Sequence, residues 1–252
     1  MLGSLDSATD IPGPLAGALC GDGARGFLAR LRGEPGLVAF DADGTLWEGD
    51  IGEEVFRALI SEDRLVDPPP DPWAQYTRLV KRAPAEGFAF TGRVMRGLSE
   101  ADLREVSNRV FRRAIERRVF PEMRWLVREL RGRGWEIYVV SASNRWSVET
   151  AVESLDLPPA RVIALDVGVA AGKLTGEVRE PIPALAGKPA LLQAVAGRAP
   201  DLAFGNSVLD LPLLLSAALP IAVGSVSDAP RNRFLVQAAR REWARLEIPV
   251  TA

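Results

Sequence analysis

The sequence predicts an α/β fold, a mostly parallel sheet covered on both faces by helices. Two observations carry that prediction. Five short apolar runs (Leu37–Phe40, 137–140, Val162–Leu165, 202–204 and 221–223) are each bounded by glycine, proline or charge, as strands buried on both faces are. Helical patterns lie between several of them, and strands alternating with helices build a parallel sheet. The chain has 252 residues, of which 47% are hydrophobic and 25% charged, enough for a large core and one or two domains.

Taken in order, the first 17 residues lack a basic start and an unbroken apolar segment, so no signal peptide is expected. Gly21-Asp22-Gly23-Ala24-Arg25-Gly26 matches a dinucleotide-binding string, but no strand is expected before it. Cys20 and Arg25 enclose four residues, one too few for a loop whose amides wrap a phosphate, so both features read as a glycine-rich lead-in. After the first apolar run, the interval from about Val55 to Phe120 has no buried-strand signal. Pro68-Pro69-Pro70 forces a turn, Ser99 suits a helix N-cap, and Leu103, Val106, Val110 and Ala114 form a stripe. The expectation is a helical domain over residues 51–120, inserted into an α/β core of residues 1–50 and 121–252.

Pro121 is placed to open a helix whose Met123, Leu126, Val127 and Leu130 share one face. Residues 166–178 read as a small hairpin turning at Ala170-Ala171-Gly172-Lys173, and Pro189 opens a helix over 190–196. The longest apolar stretch, residues 211–224, is interrupted by Pro212 and Pro220 and is shorter than the roughly 20 residues of a membrane span. A soluble, cytoplasmic protein without a membrane partner is expected.

Composition then limits the chemistry. There is no histidine and one cysteine, which removes histidine-based triads, His-ligated metal sites, disulfides and thiolate zinc sites. Lys+Arg number 31 against 33 Asp+Glu, so no overall field favours nucleic acid. Catalysis would have to use carboxylates, hydroxyls, amides, lysine, arginine or a hard metal ion.

Those groups gather at the expected carboxyl ends of strands, where open α/β sheets bind ligands. The first run leads into Asp41-Ala42-Asp43-Gly44-Thr45, with two carboxylates that would point to one side of an extended chain and therefore call for a cation or a proton. Oxygen-only ligation suits Mg²⁺. Gly44 lets the backbone turn sharply or approach a ligand. Ser141-Ala142-Ser143-Asn144 ends the second run with a hydroxyl and free amides. Gly205-Asn206-Ser207-Val208-Leu209-Asp210 ends the fourth. Lys188 is one of three lysines in the chain and stands before the Pro189 helix.

This ordered set resembles the four motifs of the haloacid dehalogenase superfamily, in particular its phosphoserine-phosphatase-like branch. Asp41-x-Asp43-Gly44-Thr45 is similar to the first motif, Ser141 to the second, Lys188 to the third and Gly205-Asn206-Ser207-x-x-Asp210 to the fourth. The separations of Asp41, Ser141, Lys188 and Asn206 are 100, 47 and 18 residues, and the first leaves room for a helical cap. The resemblance implies a Rossmann-like core with an inserted cap and a Mg²⁺-dependent phosphatase acting on a small phosphorylated substrate. In it Asp41 would be the nucleophile and Asp43 the acid and base. Ser141 and Lys188 would hold the phosphoryl oxygens, with Gly44, Thr45 and Ala142 beside the substrate. Mg²⁺ would be bound by Asp41, the carbonyl of Asp43, Asn206 and Asp210. Asn206 departs from the aspartate usual in this branch, which implies weaker metal binding.

For the rest of the substrate, the resemblance matches Arg93 to a cap arginine and Asp50 to a carboxylate that contacts an amino group. Trp47, Trp73 and Tyr76 offer faces that would attract a quaternary ammonium, so phosphocholine competes with phosphoserine as the expected ligand, although packing is the commoner role of such rings. A phosphotransferase would use the same residues. A dehalogenase would not need Asp43, and a binding module of the same fold would be supported by Asn206.

Overall fold

Apolar runs with no polar face can be satisfied only between two layers, and each of the five becomes a strand of one sheet. The computed structural model describes residues 13–225 and 233–248. The signal-peptide expectation rests largely on residues 1–12, outside the described residues. The chain runs through β1 (Leu19–Cys20), α1 (Ala24–Arg32), β2 (Leu37–Phe40), α2 (Ile51–Ser61), α3 (Pro72–Arg82), α4 (Pro84–Val94), α5 (Glu100–Val110) and α6 (Pro121–Gly132). It continues through β3 (Glu136–Asn144), α7 (Arg145–Glu153), β4 (Val162–Leu165), β5 (Val167–Ala170), β6 (Lys173–Val178) and α8 (Gly187–Ala196). The last elements are β7 (Leu202–Gly205), α9 (Leu211–Ser216), β8 (Leu219–Ser225), α10 (Arg233–Arg240) and β9 (Ala244–Ile248). None of the described helices is long and apolar enough to cross a membrane.

The sheet order is β1-β9-β8-β7-β2-β3-β4, parallel except for the β1–β9 pair. β2 lies at the centre, hydrogen-bonded to β3 on one side and β7 on the other. Phe40 is opposite Val139 and also opposite Phe204. This register sets the carboxyl ends of the three strands at one level, so Asp41, Ser141 and Asn206 emerge together. Phe40 and Phe204 stack beneath that edge with centroids 4.5 Å apart, and Phe27 meets Phe204 edge-on at 5.9 Å.

Between β2 and β3 the chain is helical, as the sequence suggested. Asp50 caps α2 through the Glu53 amide at 2.7 Å, and Ser99 caps α5 through the Asp102 amide at 3.3 Å. The apolar stripe of α5 departs from expectation at its end. Phe111–Ile115 forms a π turn, whose extra residue rotates Ile115 into the core and leaves Ala114 only half-buried. The chain entering and leaving this helical segment is paired: Phe120 donates its amide to Leu46 at 3.1 Å and Glu48 donates to Arg118 at 2.9 Å. The fully buried Trp47 side chain belongs to this pairing, which is why it packs rather than offering a face to ligand.

The β5–β6 hairpin forms as expected. Three elements differ from the sequence reading. α8 begins at Gly187, so Lys188 lies in its first turn rather than before it. β9 was not anticipated because Arg245 and Glu247 alternate with its buried residues. The glycine-rich lead-in does follow a strand, but β1 is two residues at the antiparallel sheet edge, and Gly21 and Gly23 pack on the backbone of Trp243 and Ala244. Nothing there cradles a dinucleotide. Burial raises the Cys20 thiol to about 11, so it is no nucleophile.

Two outcomes follow from this packing. Phe204→Ala should lower the unfolding free energy by about 3–5 kcal/mol in urea denaturation, because the lost ring leaves Phe27 and Phe40 facing a void. Iodoacetamide should modify folded Cys20 at pH 7 far more slowly than the urea-unfolded chain, whose thiol returns to about 8.5.

Candidate active site

Each group at the central sheet edge is aimed by a local backbone feature. Asp41 follows β2 directly, its amide bound to the Phe204 carbonyl at 2.9 Å. Gly44 then turns the chain at φ +75°, and a Cβ there would overlap the Asn206 carboxamide. Thr45 is buried and donates its hydroxyl to Asp41 Oδ2 at 2.8 Å. At the end of β3 a bulge between Ser141 and Asn144 inserts residues that β4 does not match. It brings the hydroxyls of Ser141 and Ser143 to the same carboxylate oxygen, Asp43 Oδ2, at 3.3 and 2.7 Å. On the other oxygen, Asp43 Oδ1 accepts from Trp47 Nε1 at 2.9 Å and the Ile51 amide at 2.8 Å. Four donors therefore match four lone pairs of the carboxyl group.

Lys188 Nζ donates to Asp41 Oδ1 at 2.5 Å and to Asp210 Oδ1 at 2.7 Å, with all three side chains buried. Burial alone would lower the lysine, but Asp210 and Asp41 outweigh it and hold the ammonium above its usual range. Burial and the neighbouring Asp210 push Asp41 up to about 7 against the pull of Lys188. Burial and the charge of Asp43 likewise raise Asp50 well above the carboxylate range.

The fourth-motif loop is organised by Asp210. Its Oδ2 accepts from the Asn206 amide at 3.1 Å, the Ser207 amide at 3.0 Å and the Ser207 hydroxyl at 2.9 Å. Its Oδ1 accepts from Lys188 Nζ alone and keeps a second lone pair. In this arrangement Asp210 positions the loop and the lysine, and it also faces the cavity. One terminal atom of the Asn206 carboxamide lies 3.2 Å from the Asp43 carbonyl oxygen, 3.2 Å from Asp41 Oδ2 and 3.3 Å from Asp210 Oδ2. A nitrogen there donates to these acceptors, whereas an oxygen there repels them unless a cation sits between. One carboxylate, one backbone carbonyl and one carboxamide make an all-oxygen set that fits Mg²⁺, which keeps further positions for water and phosphate.

These groups line a cavity of about 200 Å³. Asp41, Asp43, Asp50, Ser141, Ala142, Lys188, Asn206 and Asp210 all face it, so most of the expected site converges. Gly44 and Thr45 do not line it and act behind it, on Asn206 and Asp41. Arg93 is elsewhere: its guanidinium pairs with Glu86 on the exposed side of α4. Helical geometry is the reason, because Phe88 and Thr91, one turn apart, face the pockets and Arg93 is rotated away. Trp73 is also taken, its ring covered by the Arg57 guanidinium at 3.6 Å. Ser207 of the fourth motif also lines the cavity, as do Ser143 and Phe88, to which the sequence assigned no role in the site. The serine doublet around Ala142 was a signal for Ser143, but nothing in the sequence marked Phe88.

The pattern of the haloacid dehalogenase-like hydrolases matches residues 38–215, well over half of the chain. The chain belongs to this hydrolase family. Among solved structures it is similar to a Bordetella pertussis Tohama I protein of unknown function, with 20% identity over 85% of this chain and 99% of the other and a TM-score of 0.70. A substrate-bound phosphoserine phosphatase is 20% identical over 87% and 94% of the two chains with a TM-score of 0.58. Cytosolic 5′-nucleotidase IIIB bound to cytidine is 13% identical over 96% and 92%, with a TM-score of 0.68. At these identities the likeness concerns the fold of the hydrolase.

Gly44→Ala should lower the unfolding free energy by about 1–2 kcal/mol from the left-handed backbone alone. Urea denaturation at the same stability as the parent would mean that the turn is not formed as described.

Proposed function

We propose that this hydrolase is a Mg²⁺-dependent phosphomonoesterase acting on a small phosphorylated metabolite through an aspartyl-phosphate. One observation carries the reading: the cavity sets four carboxylates (Asp41, Asp43, Asp50 and Asp210) against a single ammonium, Lys188. A phosphate dianion is repelled by that set unless a divalent cation is added, and the oxygens of Asp41, the Asp43 carbonyl and Asn206 are those that would hold it. Bound there, Mg²⁺ would supply charge neutralisation for the phosphoryl oxygens.

In this reading a carboxylate oxygen of Asp41 attacks phosphorus in line, and the bond to the leaving oxygen breaks. Asp43 gives its proton to that oxygen. Water then attacks the aspartyl-phosphate, passing a proton to Asp43 and freeing phosphate and the Asp41 carboxylate. The Ser141 and Ser143 hydroxyls can rotate from donating to accepting, so Oδ2 of Asp43 can carry the proton without losing its partners. Lys188 and Ser141 hold the phosphoryl oxygens. Thr45 restrains the nucleophile through its second oxygen. Residues 51–120 serve as a cap domain over a core of residues 1–50 and 121–252, supported by the backbone hydrogen bonds between residues 46–48 and 118–120. The cavity volume favours a compact substrate.

An aryl phosphate such as 4-nitrophenyl phosphate tests the reading. Hydrolysis should require Mg²⁺ and fall by at least about 10³-fold in Asp41→Asn. Metal-independent turnover, or turnover that survives this substitution, refutes it. Asn206→Asp should lower the Mg²⁺ concentration for half-maximal rate by about tenfold, because a full negative charge replaces a carboxamide dipole.

A further inference from the structure

Resting on the phosphatase reading, we propose that the substrate is the phosphate ester of a short amino alcohol bearing a primary ammonium and no carboxylate. The main cavity continues into a niche lined by Asp50, Gly52, Glu53, Phe56, Tyr76, Phe88 and Thr91, with Asp50, Phe88, Ala142 and Ser143 common to both. A leaving group attached to a phosphoryl held at Asp41 and Lys188 therefore extends toward Asp50 and Glu53. Asp50 offers a receptor for a cation, because an ammonium beside it favours the charged form that burial and Asp43 otherwise disfavour. Its Oδ1 accepts from the Glu53 amide and lies 3.4 Å from Ser143 Oγ, while no donor among the described residues reaches its Oδ2. Glu53 stands behind it, with Oε1 holding the Tyr76 hydroxyl at 3.1 Å and Oε2 3.8 Å from Arg57.

Three features narrow the class. Among the residues lining cavity and niche, Lys188 is the only cation, and its ammonium is already bound to Asp41 and Asp210. Arg93, the one candidate for a carboxylate, is committed to Glu86 on the outside of α4. A carboxylate on the leaving group would thus find no cation there and would face Asp50 and Glu53. Size supplies the third feature: the centre of a water-sized group can occupy only about 10 Å³ of the niche. An –NH₃⁺ fits that space and a trimethylammonium does not. The aromatic walls add to the attraction, because Phe56, Tyr76 and Phe88 exclude water around the ammonium and strengthen its pairing with Asp50.

The test compares kcat/KM, with Mg²⁺ present, for 2-aminoethyl phosphate, ethyl phosphate, O-phosphoserine and phosphocholine, with 4-nitrophenyl phosphate as the reference. 2-Aminoethyl phosphate should exceed each of the other three alkyl esters by at least about tenfold. Asp50→Asn, which keeps an oxygen to cap α2, should bring the 2-aminoethyl to ethyl ratio to within about threefold of unity. Glu53→Gln should lower the same ratio by a smaller factor, and serves if the first variant does not fold. Ethyl phosphate or phosphoserine turned over as fast as the amine overturns the proposal, as does phosphocholine. Aryl phosphate hydrolysis with no preference among the alkyl esters overturns it while leaving the phosphatase reading intact. No aryl phosphate hydrolysis removes that reading and the proposal together.

Discussion

Lys188 holds its ammonium between Asp41 and Asp210 where almost no water reaches, and the rest of the site is arranged around that contact. Three buried charges are tolerable only because each has a partner at hydrogen-bond distance. The lysine comes from the first turn of α8, the first aspartate from the end of β2 and the second from the loop after β7. One interaction therefore ties three distant segments to the same sheet edge. It also leaves Asp41 with one oxygen neutralised and the other free to face Thr45, Asn206 and a cation.

Around this triad the polar groups divide into those that face ligand and those that orient others. Asp210 bonds the lysine through one oxygen and its own loop through the other, so it orients both while lining the cavity. Asp43 is ringed by four donors from α2, the Trp47 turn and the bulged end of β3. The helical segment between β2 and β3 thereby reaches the chemistry directly, through the Ile51 amide and Trp47. Helix α2 can come this close because residue 52 is glycine: a Cβ there would overlap the Ser143 hydroxyl. Any movement of the helices over the cavity would consequently alter the hydrogen bonds of Asp43.

Asn206 shows how one substitution in a charged site shifts the demands on its neighbours. A carboxamide can turn either end toward Asp41 and the Asp43 carbonyl, and with its nitrogen end there it donates to both. An aspartate has no such choice.

Much of this was legible along the chain because the determinants are local. β2, β3, β4, β7 and β8 announce themselves by apolar runs, α6 by Pro121 and its heptad-like stripe, and the helical segment by the absence of strand signals. Asp41, Asp43, Ser141, Lys188 and Asn206 could be assigned to one rim because parallel strands all present their carboxyl ends to the same side. What the tertiary structure decided were matters of direction and spacing. Arg93 and Phe88 both lie on α4, and only the packing of that helix settles which one meets the cavity. Trp47 and Trp73 are equally aromatic, yet one is sealed in the core and the other covered by Arg57. The bulge that brings Ser143 to Asp43 arises from a mismatch between β3 and β4, two strands that know nothing of each other in sequence. Residue type carries the chemistry a group can perform, but which partner it reaches depends on long-range packing, and periodicity along the chain does not encode that.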